Sequence, residues 1–243
     1  MSSKRSGHFS MSNLAIIPAR GKSKRIPGKN IRSFLGNPII HYSIEAALQS
    51  DLFDEVMVST EDEEIAEVSK QAGASLPFFR STENADDYSP TGEVIEEVLS
   101  TYRQKFNKVF STACCIYPTA PFVTAEKLQR GYKLLQESDF EAVLTIVPFQ
   151  YPVQRGVTVD NNGKVQLVWP ENIEKRSQEL ETIYHDAGQF YWFKTNAFLE
   201  TKRFLKMNAG SIILTPMEVQ DIDEESDWQL AEIKYEYFRQ KSL

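Results

Sequence analysis

The chain has 243 residues, 41% of them hydrophobic and 25% charged, with a formal net charge of −7. That length allows one sizeable core, or one domain with a smaller lobe, and the acidic pI near 5.2 argues against general nucleic-acid binding. No apolar run approaches the roughly 20 residues that cross a bilayer, and the start, M-S-S-K-R-S-G-H-F-S-M-S, lacks the apolar centre of a secretory signal, so a cytoplasmic protein with no membrane partner is expected.

Residues 1–12 are expected to be a disordered extension, with Met11 as an alternative start. L-A-I-I (14–17) then opens a short strand and runs straight into the loop P-A-R-G-K-S-K-R-I-P-G-K-N. Arg20, Lys22, Lys24, Arg25 and Lys29 put five cations within ten residues, against the charge of the whole chain. Gly21, Pro27 and Gly28 let the backbone turn tightly and approach a ligand. Open α/β sheets bind ligands outside the carboxyl ends of their strands, so this loop is expected to grip an oligophosphate. Gly21-Lys22-Ser23 has the look of a Walker A end, but position 16 is Ile16 and Pro27-Gly28 keeps a helix from starting behind the lysine. Side chains and turn amides holding a triphosphate from several sides are expected instead.

A helix is predicted over 39–49, behind Pro38, and a strand at V-M-V (56–58). A second helix spans 62–71, with acidic residues in its first turn and Gly73 just past its end. Helices over 91–106 and 124–137 each have a threonine at the expected N-cap. Strands are predicted within V-F-S-T-A-C-C-I-Y (109–117) and A-V-L-T-I-V (142–147). Cys114 and Cys115 are neighbours, which on a strand point to opposite faces, so a disulfide between them is disfavoured. Buried free thiols in a reducing cytosol are expected. Alternating strands and helices predict an α/β fold with a doubly wound, mainly parallel sheet.

The alternation breaks at 151–183. G-V-T-V-D-N-N-G-K-V-Q-L-V predicts a hairpin turning at Asn162-Gly163. A polar, helix-compatible stretch follows over 171–181, and the whole segment is expected to form a lobe inserted beside the sheet. Strands return at 188–194 and 211–215, and a last helix covers about 224–239.

Two further clusters carry chemistry. In D-I-D-E-E-S-D (221–227), Asp221 and Asp223 alternate around Ile222, so in extended backbone both carboxylates face one way. Two hard oxygen ligands beside a phosphate site suit Mg²⁺, which takes its remaining ligands from water and phosphate. The alternative is that Asp223 caps the last helix. In Y-H-D-A-G-Q-F-Y (184–191), His185-Asp186 is a candidate base and orienting carboxylate, or His185 a structural histidine, and Gly188 with Gln189 a close approach to a polyhydroxylated ligand.

Taken together, the basic loop, R-S-T-E-N-A-D-D (80–87) and D-I-D-E-E-S-D resemble the CMP-sialic acid synthetase (acylneuraminate cytidylyltransferase) family over about residues 13–240. Y-P-T-A-P (117–121) and H-D-A-G-Q-F-Y-W (185–192) look most like its pseudaminic acid branch. The resemblance implies a Rossmann-like, GT-A-like nucleotidyltransferase domain whose lobe pairs two subunits into a homodimer. It also implies that CTP and a nine-carbon keto sugar acid are the substrates. By that likeness Arg20 and Lys29 hold the CTP phosphates and serve catalysis, and Asn30 contacts cytosine. Arg80, Ser89 and Thr91 close over base and ribose, Tyr117, Gln189 and Tyr191 face the sugar, and Asp221 and Asp223 bind Mg²⁺ and serve catalysis. Two departures bear on the sugar: sialate enzymes commonly have Gln where this chain has Tyr117, and Arg-Pro-Asn-Gly where it has His185-Asp186-Ala187-Gly188. The chemistry implied is attack of the sugar's anomeric hydroxyl on the α-phosphorus of CTP, with the general base unassigned among His185, a metal-bound hydroxide and an aspartate. N-acetylneuraminate or legionaminate as the sugar, a glycosyltransferase on a similar sheet, and a nucleotide-binding regulator without catalysis are the alternatives.

Overall fold

Leu14 to Ile17 are completely buried because the strand they form, β1 (Asn13–Pro18), lies inside a sheet with neighbours on both sides. The computed structural model describes residues 12–84 and 90–241. After β1 come the two-residue strands β2 (Ser33–Phe34) and β3 (Asn37–Pro38), then α1 (Ile39–Gln49), β4 (Glu55–Ser59) and α2 (Glu63–Gln71). There follow α3 (Thr91–Phe106), β5 (Thr112–Ile116), α4 (Ala125–Glu137), β6 (Ala142–Pro148), and the hairpin β7 (Val157–Val159) and β8 (Val165–Leu167). The chain closes with β9 (Tyr184–Lys194), α5 (Thr195–Thr201), β10 (Ala209–Ile213) and α6 (Glu225–Lys241).

Six strands form the main sheet in the order β10-β6-β9-β5-β1-β4. Only β9 runs against its neighbours β5 and β6, so the sheet is mainly parallel, as the alternation of strands and helices predicts. Its two faces separate by strand parity. Ala15, Ile17, Cys114 and Trp192 belong to one core with α1 and α4, and Leu14, Ile16, Cys115 and Phe193 to the other with α3 and α5. Both cysteines are free and buried. On the first face α4 sits so close to β9 that a Cβ on Gly131 would come within 2.8 Å of the Trp192 ring, and the Trp192 indole donates to the Leu128 carbonyl at 3.0 Å.

A third, smaller core matters most for function. Ile26 of the basic loop, Phe34 of β2, and Ile222, Trp228 and Ala231 around the start of α6 are buried together. Fully burying Ile26 and Ile222 is worth about 1.5–3 kcal/mol each. That core brings the loop after β1 against the D-I-D segment, nearly two hundred residues later in the chain, by ordinary apolar packing.

Several boundaries differ from the sequence reading. Thr124 caps α4, accepting from the Lys127 amide, but α3 starts one residue earlier than a Thr91 cap requires: Pro90 holds the cap position and Thr91 is already helical. The stretch 171–181 is not a helix; it holds only two short 3-10 turns, Pro170–Asn172 and Ser177–Glu179. Its only apolar residues, Ile173 and Leu180, are two turns apart with polar residues at every position between them, too few for a helix there to bury a continuous face. Strand β9 begins at Tyr184 rather than Gly188, through added pairing of 184–186 with β6 beyond a register shift at Leu144/Ile146. Ser12 is tied to the fold through Val109 and Ser111; residues 1–11 of the expected extension, and Ser89, lie outside the described residues.

Candidate active site

The loop after β1 is a chain of tight turns: the Ile31 and Arg32 amides both donate to the Gly28 carbonyl, at 3.0 and 2.9 Å. Gly28 itself has φ +63, a left-handed conformation that glycine takes without Cβ strain. As the Pro27-Gly28 pair requires, no helix forms behind Lys22. Asn30 is buried, and its side-chain amide donates to the Arg20 carbonyl at 2.8 Å, fixing the loop across its mouth. Lys29 reaches out of the loop to the D-I-D segment, donating to the Ile222 carbonyl at 2.6 Å. Arg25 pairs with Asp223 at 2.7 Å, with Lys29 3.9 Å from the same oxygen. Arg32 forks onto Glu225 at 2.6 and 2.7 Å and lies over the Trp228 ring.

Three adjoining cavities surround this assembly. The first, about 320 Å³, is lined by Arg20, Lys29, Asn30, Arg80, Thr91 and Tyr117, together with Ser23, Asn84 and Thr119 among others. Six of the side chains expected from sequence therefore meet in one hollow. Arg80 is buried at its floor, donating to the Ser59 hydroxyl at 3.2 Å and to the Ser59 carbonyl. Burial pulls its guanidinium below the ordinary arginine value, opposed by Glu61 and Glu97. Burial likewise lowers the Lys29 ammonium, with Asp223 and Asp221 acting the other way. A cationic hollow at the carboxyl end of β1, with partly desolvated donors, suits an anion of several charges.

The second cavity, about 410 Å³, is lined by Asp221, Asp223 and Asp227, with His185, Asp186 and Lys234. The sequence pattern thus does turn Asp221 and Asp223 to one space. Burial raises the Asp221 carboxyl above its usual value, and Asp223 adds to the effect. Asp223 does not cap α6. Its carboxylate pairs with Arg25, while Asp227 accepts the Asp223 and Glu224 amides at 3.0 and 2.9 Å. From below, Lys234 donates to the Pro216 and Val219 carbonyls and to Gln220 at 2.8–3.0 Å, which anchors the approach to Asp221.

The third cavity is the largest, about 600 Å³, and shares Thr91 and Tyr117 with the first and Asp186 with the second. Tyr191 lines it; the Tyr191 and Tyr117 rings are 5.3 Å apart. The Thr91 and Tyr117 hydroxyls lie 3.4 Å from one another. Burial raises both phenols, so both remain protonated hydrogen-bonding groups at neutral pH. Gln189 is not brought to any of the three cavities. It is buried in the sheet, its amide nitrogen donating to the Glu218 carbonyl and its carbonyl oxygen without a partner among the described residues.

A family profile described as "Cytidylyltransferase" matches residues 14–242. The chain belongs to the cytidylyltransferase family. Among related cytidylyltransferases, the pseudaminic acid cytidylyltransferase of Campylobacter jejuni subsp. jejuni serotype O:2 is 40% identical over 225 residues, covering 93% of this chain and 97% of that one. The CMP-N,N'-diacetyllegionaminic acid synthase of Legionella pneumophila is 33% identical over 226 residues, covering 90% and 94%. In fold, the chain matches a CMP:2-keto-3-deoxy-manno-octonic acid synthetase complexed with CTP at a TM-score of 0.66 and 14% identity, over 94% of this chain and 99% of that one. The GT-A-like, doubly wound architecture expected from the sequence is therefore that of this cytidylyltransferase.

Sequence reasoning missed the wall of the third cavity formed by Lys202, Arg203, Phe204 and Lys206, which carries no motif. It gave Arg25 no partner, since nothing in the sequence distinguishes it from the other cations of the loop; the structure pairs it with Asp223. It read Asp186 only as an orienting carboxylate for His185 and gave it no other contact. Strict alternation would put Asp186 and Tyr191 on opposite faces, yet the Tyr191 hydroxyl donates to Asp186 at 2.7 Å. Gly188, at φ +62, and the register shift beside it break the parity and bring the two together.

Proposed function

We propose that this enzyme transfers CMP from CTP to a nine-carbon keto sugar acid, pseudaminic acid in the first instance, releasing pyrophosphate. The observation that carries the reading is the meeting of Arg20, Lys29, Asn30, Arg80, Thr91 and Tyr117 in one cavity that opens, through its last two residues, on a larger one. The identity to pseudaminic acid cytidylyltransferases supports the choice of sugar. In this reading Arg20 and Lys29 bind the phosphates and Asn30 and Arg80 the nucleoside end, with Ser89 and Thr91 closing over it. Tyr117 and Tyr191 face the sugar acid. Gln189 acts from behind them, supporting the strand through Glu218 and the Tyr117 amide, which donates to the Gln189 carbonyl at 2.9 Å.

The D-I-D carboxylates fit a hard divalent cation such as Mg²⁺. Asp221 and Asp223 line one cavity, and Asp221 is raised by burial and by its acidic neighbours, as a carboxylate short of positive charge should be. Among the described residues no group of three His, Cys, Asp or Glu side chains could hold a metal, so the remaining ligands would be phosphate and water oxygens. Bound there, Mg²⁺ would neutralise charge developing on the transferred phosphoryl group. The protein's own part is to hold the triphosphate with Arg20 and Lys29 and to keep its field aimed at the phosphoryl oxygens.

A panel of keto sugar acids, incubated with CTP and Mg²⁺, tests the assignment by pyrophosphate release. The highest kcat/KM is expected for pseudaminic acid, ahead of legionaminate and N-acetylneuraminate; no release with any of them sinks it. The lobe at 151–183 supports a homodimer. Trp169, Ile173 and Ile183 are 42%, 60% and 36% exposed in the single chain, and the three core clusters do without them. Light scattering at micromolar concentration should give twice the chain mass, and a monomeric mass counts against the pairing. Free buried thiols fit a reducing, cytoplasmic setting.

A further inference from the structure

We propose that Asp186 is the general base that takes the proton of the attacking sugar hydroxyl. The inference rests on the cytidylyltransfer reading above and deepens it. Asp186 is the residue shared by the cavity of Asp221 and Asp223 and the large cavity of Tyr117 and Tyr191. It therefore stands where the space proposed for the sugar meets the D-I-D carboxylates, whose Asp223 lies against Lys29 of the phosphate loop.

Its hydrogen bonds prepare it for that task. One carboxylate oxygen accepts the Gly188 amide at 2.8 Å and the other accepts the Tyr191 hydroxyl at 2.7 Å. Both donors are neutral, so they fix the group without neutralising it, and each oxygen keeps a lone pair for another donor. In a site for two anionic substrates, an anionic side chain repels both unless it receives a proton or a hydrogen bond from one of them. A carboxylate held by two neutral bonds between the sugar space and the D-I-D cavity is placed to do so.

The other candidates are worse placed. His185 lines the D-I-D cavity but not the large one; its Nδ1 lies 2.9 Å from the Asp186 carbonyl oxygen and its ring packs on Phe149. Asp223 is engaged by Arg25. In the proposed step the anomeric O–H bond breaks and its proton passes to Asp186. The freed electron pair forms the O–P bond to the α-phosphorus, and the bond to the β-phosphate oxygen breaks, its electrons leaving with pyrophosphate. The proton then returns to water from Asp186.

The test compares the parent enzyme with Asp186→Asn, Asp186→Ala, Tyr191→Phe and His185→Gln, varying CTP and sugar acid separately. General base catalysis contributes about 10²–10⁴-fold, so Asp186→Asn should lose kcat by that factor, with both KM values within about threefold. Formate should restore turnover to Asp186→Ala, a response that a purely structural carboxylate would not give. Tyr191→Phe keeps the ring and removes one of the two bonds to the carboxylate; about a tenfold lower kcat is expected from one charge-assisted bond. His185→Gln should lose far less kcat than Asp186→Asn. The assignment is overturned by an Asp186→Asn enzyme of near-parental kcat, by a loss confined to the KM of the sugar acid, by formate having no effect on Asp186→Ala, by a Tyr191→Phe enzyme as fast as the parent, or by His185→Gln falling as far as Asp186→Asn. A parent enzyme that turns over no sugar acid overturns the underlying reading as well, which separates the two failures.

Discussion

On the side of the site proposed for the nucleotide, Arg20, Ser23, Lys29 and Asn30 come from one loop, joined by Arg80, Asn84 and Thr119, whereas on the side proposed for the sugar Thr91, Tyr117, Asp186, Tyr191 and Phe204 come from separate places along the chain. The loop is tied to itself through Asn30 and Arg20, and to the D-I-D segment through Lys29 and Arg25. The sugar side rests on an aromatic pair, one threonine and a carboxylate brought round by an irregular strand. The phosphates of CTP are a constant that a single cationic loop can grip by charge alone. A particular sugar acid must be recognised by shape and hydrogen bonds, which several elements have to supply together.

The largest effect is expected at the D-I-D segment to which the phosphate loop is tied. Asp223→Asn should lower kcat by about 10²–10³-fold, the scale of losing one preorganised electrostatic contact at the reacting group. The melting temperature should hardly move, because the Arg25–Asp223 pair is 61% and 41% exposed and such pairs are worth at most about 1 kcal/mol. Parallel loss of stability and activity would make Asp223 a structural strut instead. Next comes Arg20→Ala, which should cost about 10–100-fold in kcat/KM for CTP, as for a lost charged hydrogen bond, and leave the order of preference among sugar acids unchanged. A changed order would mean that the two sides are not separable.

Tyr117→Phe sharpens the comparison from the other side. Its hydroxyl lies 3.4 Å from Thr91 and its ring stands against Tyr191. One neutral hydrogen bond is worth about 0.5–1.5 kcal/mol, so the KM of the sugar acid should rise a few-fold and that of CTP should not. Equal effects on both substrates would show that this shared wall serves the nucleotide as much as the sugar.

The same contrast explains what could be read in the sequence. The sheet was legible because β1, β5 and β6 are short apolar runs buried on both faces, and their helices carry ordinary boundary residues such as Asp62, which accepts the Glu64 and Ile65 amides. The loop side of the cavity proposed for the nucleotide was legible because Arg20, Ser23, Lys29 and Asn30 fall in one short stretch, although Arg80 reaches it from elsewhere in the chain. The placement of Asp186 was not, since it depends on Gly188 taking a left-handed conformation and on a register shift against β6. Nor was the cationic wall at Lys202–Lys206, which reaches the third cavity by tertiary packing alone. Gln189 shows the reverse: its motif suggested a ligand contact, and the strand buries it against Glu218. In 171–181, helix-forming residues without an apolar stripe gave only short turns.

The smallest effect on catalysis, and hence the control for both sides, is expected at Glu55. It lies at the start of β4 beside Leu14, at the end of the sheet away from the cavities. Burial alone would raise its carboxyl. Donors outweigh burial: Lys108 at 2.8 Å, Tyr102 at 2.7 Å and Ser75 at 2.9 Å hold it below its usual value of 4.5. The Tyr102 phenol is raised by burial and by Glu55 itself, so it remains a donor throughout the neutral range. A carboxyl depressed by folding contributes stability that is complete above its unfolded pKa and is lost as pH falls through the folded one. Glu55→Gln should therefore cost about 1–2 kcal/mol at pH 7, the scale of a hydrogen bond to a charged group. The gap to the parent should narrow as both are titrated below the unfolded carboxyl value, where the parent's glutamate also becomes neutral. Urea unfolding of both proteins at neutral and acid pH measures it, and a gap that stays constant would assign the cost to packing rather than charge. The KM values for CTP and the sugar acid should match the parent's. If either moves, the far end of the sheet is coupled to the site, and the independence of the two sides would have to be sought in the cavities rather than in the scaffold that carries them.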